Sequence, residues 1–366
     1  MAQTDTVATC GRLILGGFSG TTLTPTYARA LASGERGGAI LFKRNLFADP
    51  LEITSLTSKI CEVSVEPTLI AIDQEGGRVA RLREPLLRLP PMARLANRAR
   101  LHDDVDFVER VARAQGAELA ALGFSTGLAP VLDVNSRADN PIIGDRAFGE
   151  TAEIAARYAL RFAAGLRKGG VFACGKHFPG HGDTSKDSHV DLPVIEHDRE
   201  RLRRVEIHPF RAAASAGIEA LMTAHVVFSS LDPDVPATLS HAICTDLLRG
   251  ELRFEGVLFS DDLEMRAIAA RYTIEESAVE AVRAGCDVLL VCESEEQQTR
   301  AFEALVRRAE TEPVFYERCR EAAARVIALC RRFTPRPVMD REALQKVIDG
   351  PESRAIAREL SERGLS

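Results

Sequence analysis

No stretch of this 366-residue chain approaches the roughly 20 consecutive apolar residues that a membrane-spanning helix needs. The N-terminus lacks the basic region and apolar core of a secretory signal. Cys10, in VATC, has no apolar stretch ahead of it, as a lipoprotein cleavage site would require. The eight cysteines include no CxxC pair, which argues against a zinc ribbon or a disulfide scaffold and fits a reducing compartment. Positive charge is not in excess: a net charge of -6 gives a nucleic-acid partner no electrostatic encouragement. No internal repeat or low-complexity segment is visible. These absences lead us to expect a cytoplasmic protein, monomeric or weakly dimeric, with neither membrane nor nucleic acid as partner.

What is present is ordinary in bulk, with 45% hydrophobic and 27% charged residues, and ordered in pattern. Short apolar runs alternate with segments of helical period. The strand candidates are Arg12–Gly17, Ala39–Phe42, Leu69–Asp73, Phe124–Val134, Gly170–Lys176, Ala220–Phe228, Gly256–Asp261 and Asp287–Cys292. Between them the spacing predicts helices over Pro25–Ser33, Pro50–Val63, Val105–Leu122, Ala152–Lys168, Arg199–Ala216, Ala242–Glu251 and Ile274–Ala284. Asp49 and Ser240 sit where N-caps belong, and Gly123, Gly169, Gly217 and Gly285 where C-cap glycines belong. The strand candidates are continuously apolar, as in strands buried on both faces. Eight strands alternating with helices predict an α/β fold, a (β/α)8 TIM-type barrel, with a doubly wound open sheet as the alternative. Beyond Cys292 only helices are expected: Glu295–Ala309, Pro313–Phe333 and Arg341–Arg363. The division expected is a catalytic barrel over residues 1–333 and a C-terminal helical tail over 334–366.

A barrel places its chemistry at the C-terminal ends of its strands. Ionisable residues gather there: Asp73, Glu75, Arg78 and Arg81 after the third candidate, Asp133, Asp145 and Arg146 after the fourth, His225 after the sixth, Asp261 and Asp262 after the seventh. Asp73, Asp133 and Asp261 each end an apolar strand. Each either caps a helix, pairs with an arginine, or does chemistry. Asp261 precedes DLEM at a helix start, where the helix N-terminus favours the ionised carboxylate that a nucleophile must be.

The fifth candidate runs into Lys176–Pro193, KHFPGHGDTSKDSHVDLP, the most informative stretch of the chain. One reading is a metal site of His177, His181 and His189. Pro179 and Gly180 interrupt any helical i,i+4 pair there, and neither HExxH nor a dense His/Cys cluster is present, so no metal or cofactor is expected. The favoured reading is a dyad. Asp187 and His189, two apart on an extended loop, face one side, so Asp187 orients a ring whose ordinary pKa of about 6.5 suits acid–base work. Lys176 and His177, at the strand end, suit sugar hydroxyls or an anion. Arg81 and Arg146 either add donors or form salt bridges to Asp73 and Asp145.

KHFPGHGDTSKDSHVDLP, with AIDQEGGRVARL, GDRAFG and FSDDLEM, resembles glycoside hydrolase family 3, in its β-N-acetylglucosaminidase branch. The resemblance runs from about Leu13 to Cys292, with the motifs in family order. It implies that Asp261 is the nucleophile, His189 the general acid/base and Asp187 its orienting partner. It assigns Asp73, Arg81, Arg146, Lys176 and His177 to holding the sugar. The implied function is a retaining exo-glycosidase that removes non-reducing N-acetylglucosamine from peptidoglycan fragments through a glycosyl–Asp intermediate. A neutral histidine in place of the usual acid carboxyl does not repel an anion, so phosphate is an alternative acceptor to water. The competing possibilities are a family 3 β-glucosidase, another exo-glycosidase, a metal-dependent hydrolase and a non-catalytic sugar-binding barrel. The loop bearing His189 is expected to move during turnover. The tail after Phe333 departs from the family motifs.

Overall fold

The computed structural model of the protein describes residues 3–184 and 192–365. Seven short strands hydrogen-bond, all in parallel, in the order Leu69–Ile72, Gly38–Leu41, Ile14–Gly16, Val288–Val291, Val257–Asp262, Ala220–Thr223 and Cys174–Phe178. The first strand of the chain lies beside the last, so the sheet curls. Helices alternate with the strands, giving an α/β fold.

The expected fourth strand, Phe124–Val134, is not one. It offers only single-residue parallel bridges, Ala71 to Thr126, Thr126 to Phe172 and Val131 to Lys176. Two residues break the ladder. Leu128 takes a left-handed φ of 44°, and Pro130 has no N–H to donate.

Alternation along the strands produces two cores. Leu15, Ile40, Leu69, Ala71, Phe172, Met222, Phe259 and Leu290 form one cluster on the inner face of the curl. Ile14, Leu41, Ile70, Ile72 and Leu289 join the larger cluster beneath the outer helices. The inner cluster ends on the helix Pro313–Arg332, whose Val326, Leu329 and Cys330 pack into it. Phe172 stacks edge-on against Phe333 at 5.8 Å.

Most helices form where periodicity places them. Asp49 caps Pro50–Val63 by accepting the Leu51 N–H at 3.0 Å, and Ser240 accepts the Ile243 N–H at 3.2 Å. Gly169 ends its helix from within; the left-handed cap is Gly170, at φ 103°. Proline explains two splits. Arg199–Ala216 becomes Arg199–Arg204 and His208–Ser215, with Pro209 in the second first turn; Arg341–Arg363 becomes Arg341–Ile348 and Pro351–Glu362. The last two helices bury Leu344, Ile348, Ile356 and Leu360 in the outer core, and both contact the helix Val105–Ala121. Met92–Leu101 is a helix outside the expected set, although Met92, Leu95, Ala96 and Ala99 have helical spacing and are buried.

At the N-terminal end of the sheet, Asp287 is fully buried. Its oxygens accept from Arg249 at 2.7 Å, Arg318 at 2.6 Å, Arg325 at 3.1 Å and the Leu258 N–H at 3.0 Å. One carboxylate thus ties the helix Pro313–Arg332 to the sheet floor. Asp287→Ala leaves three guanidinium groups facing one another, and we expect about 3 kcal/mol of destabilisation, read as a lower urea midpoint. A change below about 0.5 kcal/mol would show the knot to be dispensable.

Candidate active site

The C-terminal ends of the strands carry a continuous ionic network. Asp73 follows the strand Leu69–Ile72, and a short antiparallel ribbon, Gln74–Gly76 with Val79–Ala80, follows at once. Gln74 closes the ribbon by accepting the backbone N–H groups of Arg81 and Leu82 at 2.8 and 3.1 Å. Arg81 is thereby returned to Asp73, which it meets at 3.0 Å. The other oxygen of Asp73 accepts from Lys176 at 3.0 Å, and Lys176 also reaches Glu75 at 2.7 Å. Arg146 grips both oxygens of Glu75, at 2.9 and 2.8 Å, and approaches His177 Nε2 at 3.4 Å. His177 Nδ1 donates to Asp133 at 2.7 Å. Asp133 also accepts the backbone N–H groups of His177 at 3.2 Å and of His181 at 2.7 Å.

All five expected sugar-holding residues, Asp73, Arg81, Arg146, Lys176 and His177, therefore meet in one network. The salt bridge expected for Arg81 is present. That expected for Arg146 is not: Asp145 pairs with Arg78 at 3.3 Å, and Arg146 takes Glu75. The reason is burial. Glu75 is 1% exposed and needs a counter-charge, whereas Asp145 is in contact with water. Glu75 and Asp133 are legible as strand-end acids, yet nothing in the sequence says that they bind the network together.

Electrostatics follow from this pairing. Burial alone would raise the Asp73 and Glu75 carboxyls. Lys176 outweighs it in both, with Arg81 at Asp73 and Arg146 at Glu75, and both stay below the usual carboxylate range. Burial would likewise strip Lys176 of its proton, but Glu75 and Asp73 hold it on. At His181 the carboxylates of Asp133 and Asp261 favour the proton but do not prevail. Burial and the neighbouring His177 lower it to about 4, so it is neutral near pH 7.

Asp261 lies at the end of the strand Val257–Asp262. Its backbone N–H reaches Thr223 at 3.4 Å, on the next strand, and its Oδ1 accepts the Asp262 N–H at 2.8 Å. Among the described residues it has no ion pair. Asp262 serves the backbone instead. It accepts the N–H groups of Glu264 and Cys292 at 3.1 and 3.2 Å, and loss of water pushes its carboxyl up to about 7. His225, fully buried, donates to the Asp262 carbonyl at 2.9 Å and meets Thr238 at 2.7 Å, fixing this turn from below. Its place at a strand end is visible in the sequence; its supporting role is not.

Asp187 and His189 lie outside the described residues, as do residues 185–191 of the loop whose movement is expected. The chain before it is seated firmly: Gly182 packs so close that an added Cβ would stand 1.7 Å from the Val134 carbonyl oxygen. Asp183 pairs with His197, and Arg201 reaches both Asp183 at 3.5 Å and the buried Glu206 at 3.2 Å. Asp183, His197 and Glu206 are also close enough to hold a metal ion, but Arg201 already supplies that cluster with positive charge.

The model for the glycosyl hydrolase family 3 N-terminal domain matches residues 17–329. The β-hexosaminidase of Alkalilimnicola ehrlichii is 40% identical over 288 residues, 76% of this chain and 80% of that protein. A glycoside hydrolase family 3 β-N-acetylglucosaminidase from Paenibacillus superposes with a TM-score of 0.88 at 36% identity, covering 98% of this chain and 68% of the other. NagZ from Neisseria gonorrhoeae, in complex with N-trifluoroacetyl-D-glucosamine, gives 0.80 at 30% identity, covering 96% and 97%.

Two outcomes test the electrostatics. Lys176→Met leaves the buried Glu75 with Arg146 alone and the half-buried Asp73 with Arg81 alone, and is expected to cost about 3 kcal/mol of stability; a variant as stable as the parent would contradict the pairing. Asp262→Asn removes an acid whose pKa is higher folded than unfolded. Such an acid penalises folding progressively as pH rises from about 4 to about 7. The variant's stability relative to the parent should therefore climb across that window and level off above it. A difference independent of pH between 4 and 8 would refute the shift.

Proposed function

The chain belongs to glycosyl hydrolase family 3 and is a β-N-acetylhexosaminidase, and from that premise we propose that it releases terminal N-acetylglucosamine from peptidoglycan fragments by retaining double displacement. The observation that carries the mechanism is the isolation of Asp261. Asp73, Glu75 and Asp133 are bound to Lys176, Arg81, Arg146 and His177, whereas among the described residues Asp261 has no cation beside it. An unneutralised carboxylate keeps its electron pair for the anomeric carbon. Asp262 is engaged with backbone amides, so Asp261 is the nucleophile of the two.

In this reading Asp73 accepts sugar hydroxyls, while Lys176, Arg81, Arg146 and His177 donate to them. His189, oriented by Asp187, protonates the leaving oxygen as Asp261 attacks. The neutral ring then takes a proton from the incoming water, which frees the sugar and Asp261. The charge-assisted network is fixed before substrate arrives, as stabilisation of a developing charge requires. N-acetylglucosamine is the sugar supported, since NagZ from Neisseria gonorrhoeae holds an N-acyl glucosamine. The bridges through Thr126 and Val131, with a separate inner core, support a closed (β/α)8 barrel over residues 1–333, carrying 334–366 as a packed helical tail. Eight unpaired thiols support a reducing, cytoplasmic setting.

Hydrolysis of an aryl β-N-acetylglucosaminide, followed by proton NMR, tests the mechanism. The β-anomer should appear first, and Asp261→Asn should lower kcat by about three orders of magnitude or more. First appearance of the α-anomer, or an active Asp261→Asn, would overturn it. Equal turnover of the aryl β-glucoside would overturn the sugar assignment, and accumulation of sugar 1-phosphate in phosphate buffer would redirect the acceptor from water to phosphate.

A further inference from the structure

Beneath Asp261 lies a closed circuit of hydrogen bonds that no step above uses. Thr223 ends the strand Ala220–Thr223, His225 follows two residues on, and Thr238 sits in the turn Ala237–Leu239. All three are fully buried. The Asp261 N–H donates to Thr223 Oγ1 at 3.4 Å, and Thr223 Oγ1 lies 2.8 Å from Thr238 Oγ1. Thr238 Oγ1 lies 2.7 Å from His225 Nδ1, and His225 Nε2 donates to the Asp262 carbonyl at 2.9 Å. The circuit thus leaves the chain at the Asp261 amide and returns to it at the next residue.

The donors run in one direction. A carbonyl can only accept, so the proton of the neutral imidazole is on Nε2. Nδ1 then accepts the Thr238 O–H, Thr238 accepts the Thr223 O–H, and Thr223 accepts the Asp261 N–H. Each buried polar group in the circuit has the partner that burial demands. Thr238 is itself held from behind. The Ala237 N–H donates to the Val226 carbonyl at 2.8 Å, and the thiols of Cys244 and Cys286 reach the Thr238 carbonyl at 4.0 and 3.8 Å. Between the two ends of the circuit lies the Asp262 N–H, which donates to Asp261 Oδ1 at 2.8 Å. Among the described residues, Asp261 Oδ2 accepts no hydrogen bond.

We propose that Thr223, His225 and Thr238 are positioning residues for the nucleophile. They clamp the backbone on both sides of the Asp262 N–H, which holds Oδ1 and leaves Oδ2 as the attacking oxygen. The inference rests on the assignment of Asp261 above. Oδ2 forms the bond to the anomeric carbon as the bond to the leaving oxygen breaks, and that oxygen takes its proton from His189. None of the three residues belongs to the sugar-holding network, so they act on the rate of attack rather than on binding.

Kinetics of the full-length enzyme on 4-nitrophenyl β-N-acetylglucosaminide test it. Thr238→Val keeps the shape of the side chain and breaks the circuit. It should lower kcat about 10- to 100-fold and leave KM within about twofold. Thr238→Ser, which restores the hydroxyl, should recover most of the lost rate. Thr223→Val breaks the same circuit at another link. Combined with Thr238→Val it should cost no more than the larger single loss, since the two residues act as a unit. Should Thr238→Val prove unfolded by circular dichroism, Thr223→Val, with Thr223→Ser as its rescue, carries the test alone. A kcat within about twofold of the parent, a rise in KM that accounts for the loss, or no recovery in the serine variant overturns the positioning role. Additive losses in the double variant overturn the circuit. In each of these cases an inactive Asp261→Asn leaves the nucleophile assignment standing. A fully active Asp261→Asn overturns that assignment, and this inference with it.

Discussion

Two carboxylates and two cations held out of water at one end of the sheet organise this protein. Glu75 and Lys176 are almost fully buried, and neither is tolerable without the other. Arg146 completes Glu75, and Asp73 completes Lys176. Because the partners arrive from separate strand ends, the network forms only when the sheet has curled. The cost of drying these charges is offset by their mutual attraction, and the result is a rigid polar surface. In the proposed reading that surface receives sugar hydroxyls, and among the described residues Asp261 forms no ion pair with it.

The network also explains the division of labour among the histidines. His177 is held between Arg146 and Asp133 as part of the network. His181, kept neutral, secures the turn through Thr184 and through its own N–H to Asp133. His225 works beneath Asp262. Three residues of one type act in three ways because each has its own set of neighbours, and apart from Thr184 those neighbours are distant in sequence.

That is also why the chain is legible only in part. The strand-end acids and bases, the caps at Asp49 and Ser240, and most helices are local properties, written in spacing and in residue type. The helix Met92–Leu101 is legible too, but its arginine and asparagine residues mask a regular apolar stripe. The fourth strand fails for a local reason that is only half visible in the sequence: Pro130 can be read there, and the left-handed backbone of Leu128 cannot. The partner of Arg146 is beyond reach. Choosing Glu75 over the nearer Asp145 depends on which acid is buried, and burial is decided by the fold as a whole.

The floor beneath the network is apolar: Phe172, Met222 and Phe259 fill the inner face, and Val326, Leu329 and Phe333 stop its far end. Traffic through such a site is one-ended. Sugar, leaving group and water use the same opening, so in the proposed double displacement the departing aglycone and the arriving water compete for one doorway. The order of the two steps is then a matter of access as well as of chemistry. Whatever lingers at the mouth after the first bond breaks sets how long the sugar stays attached.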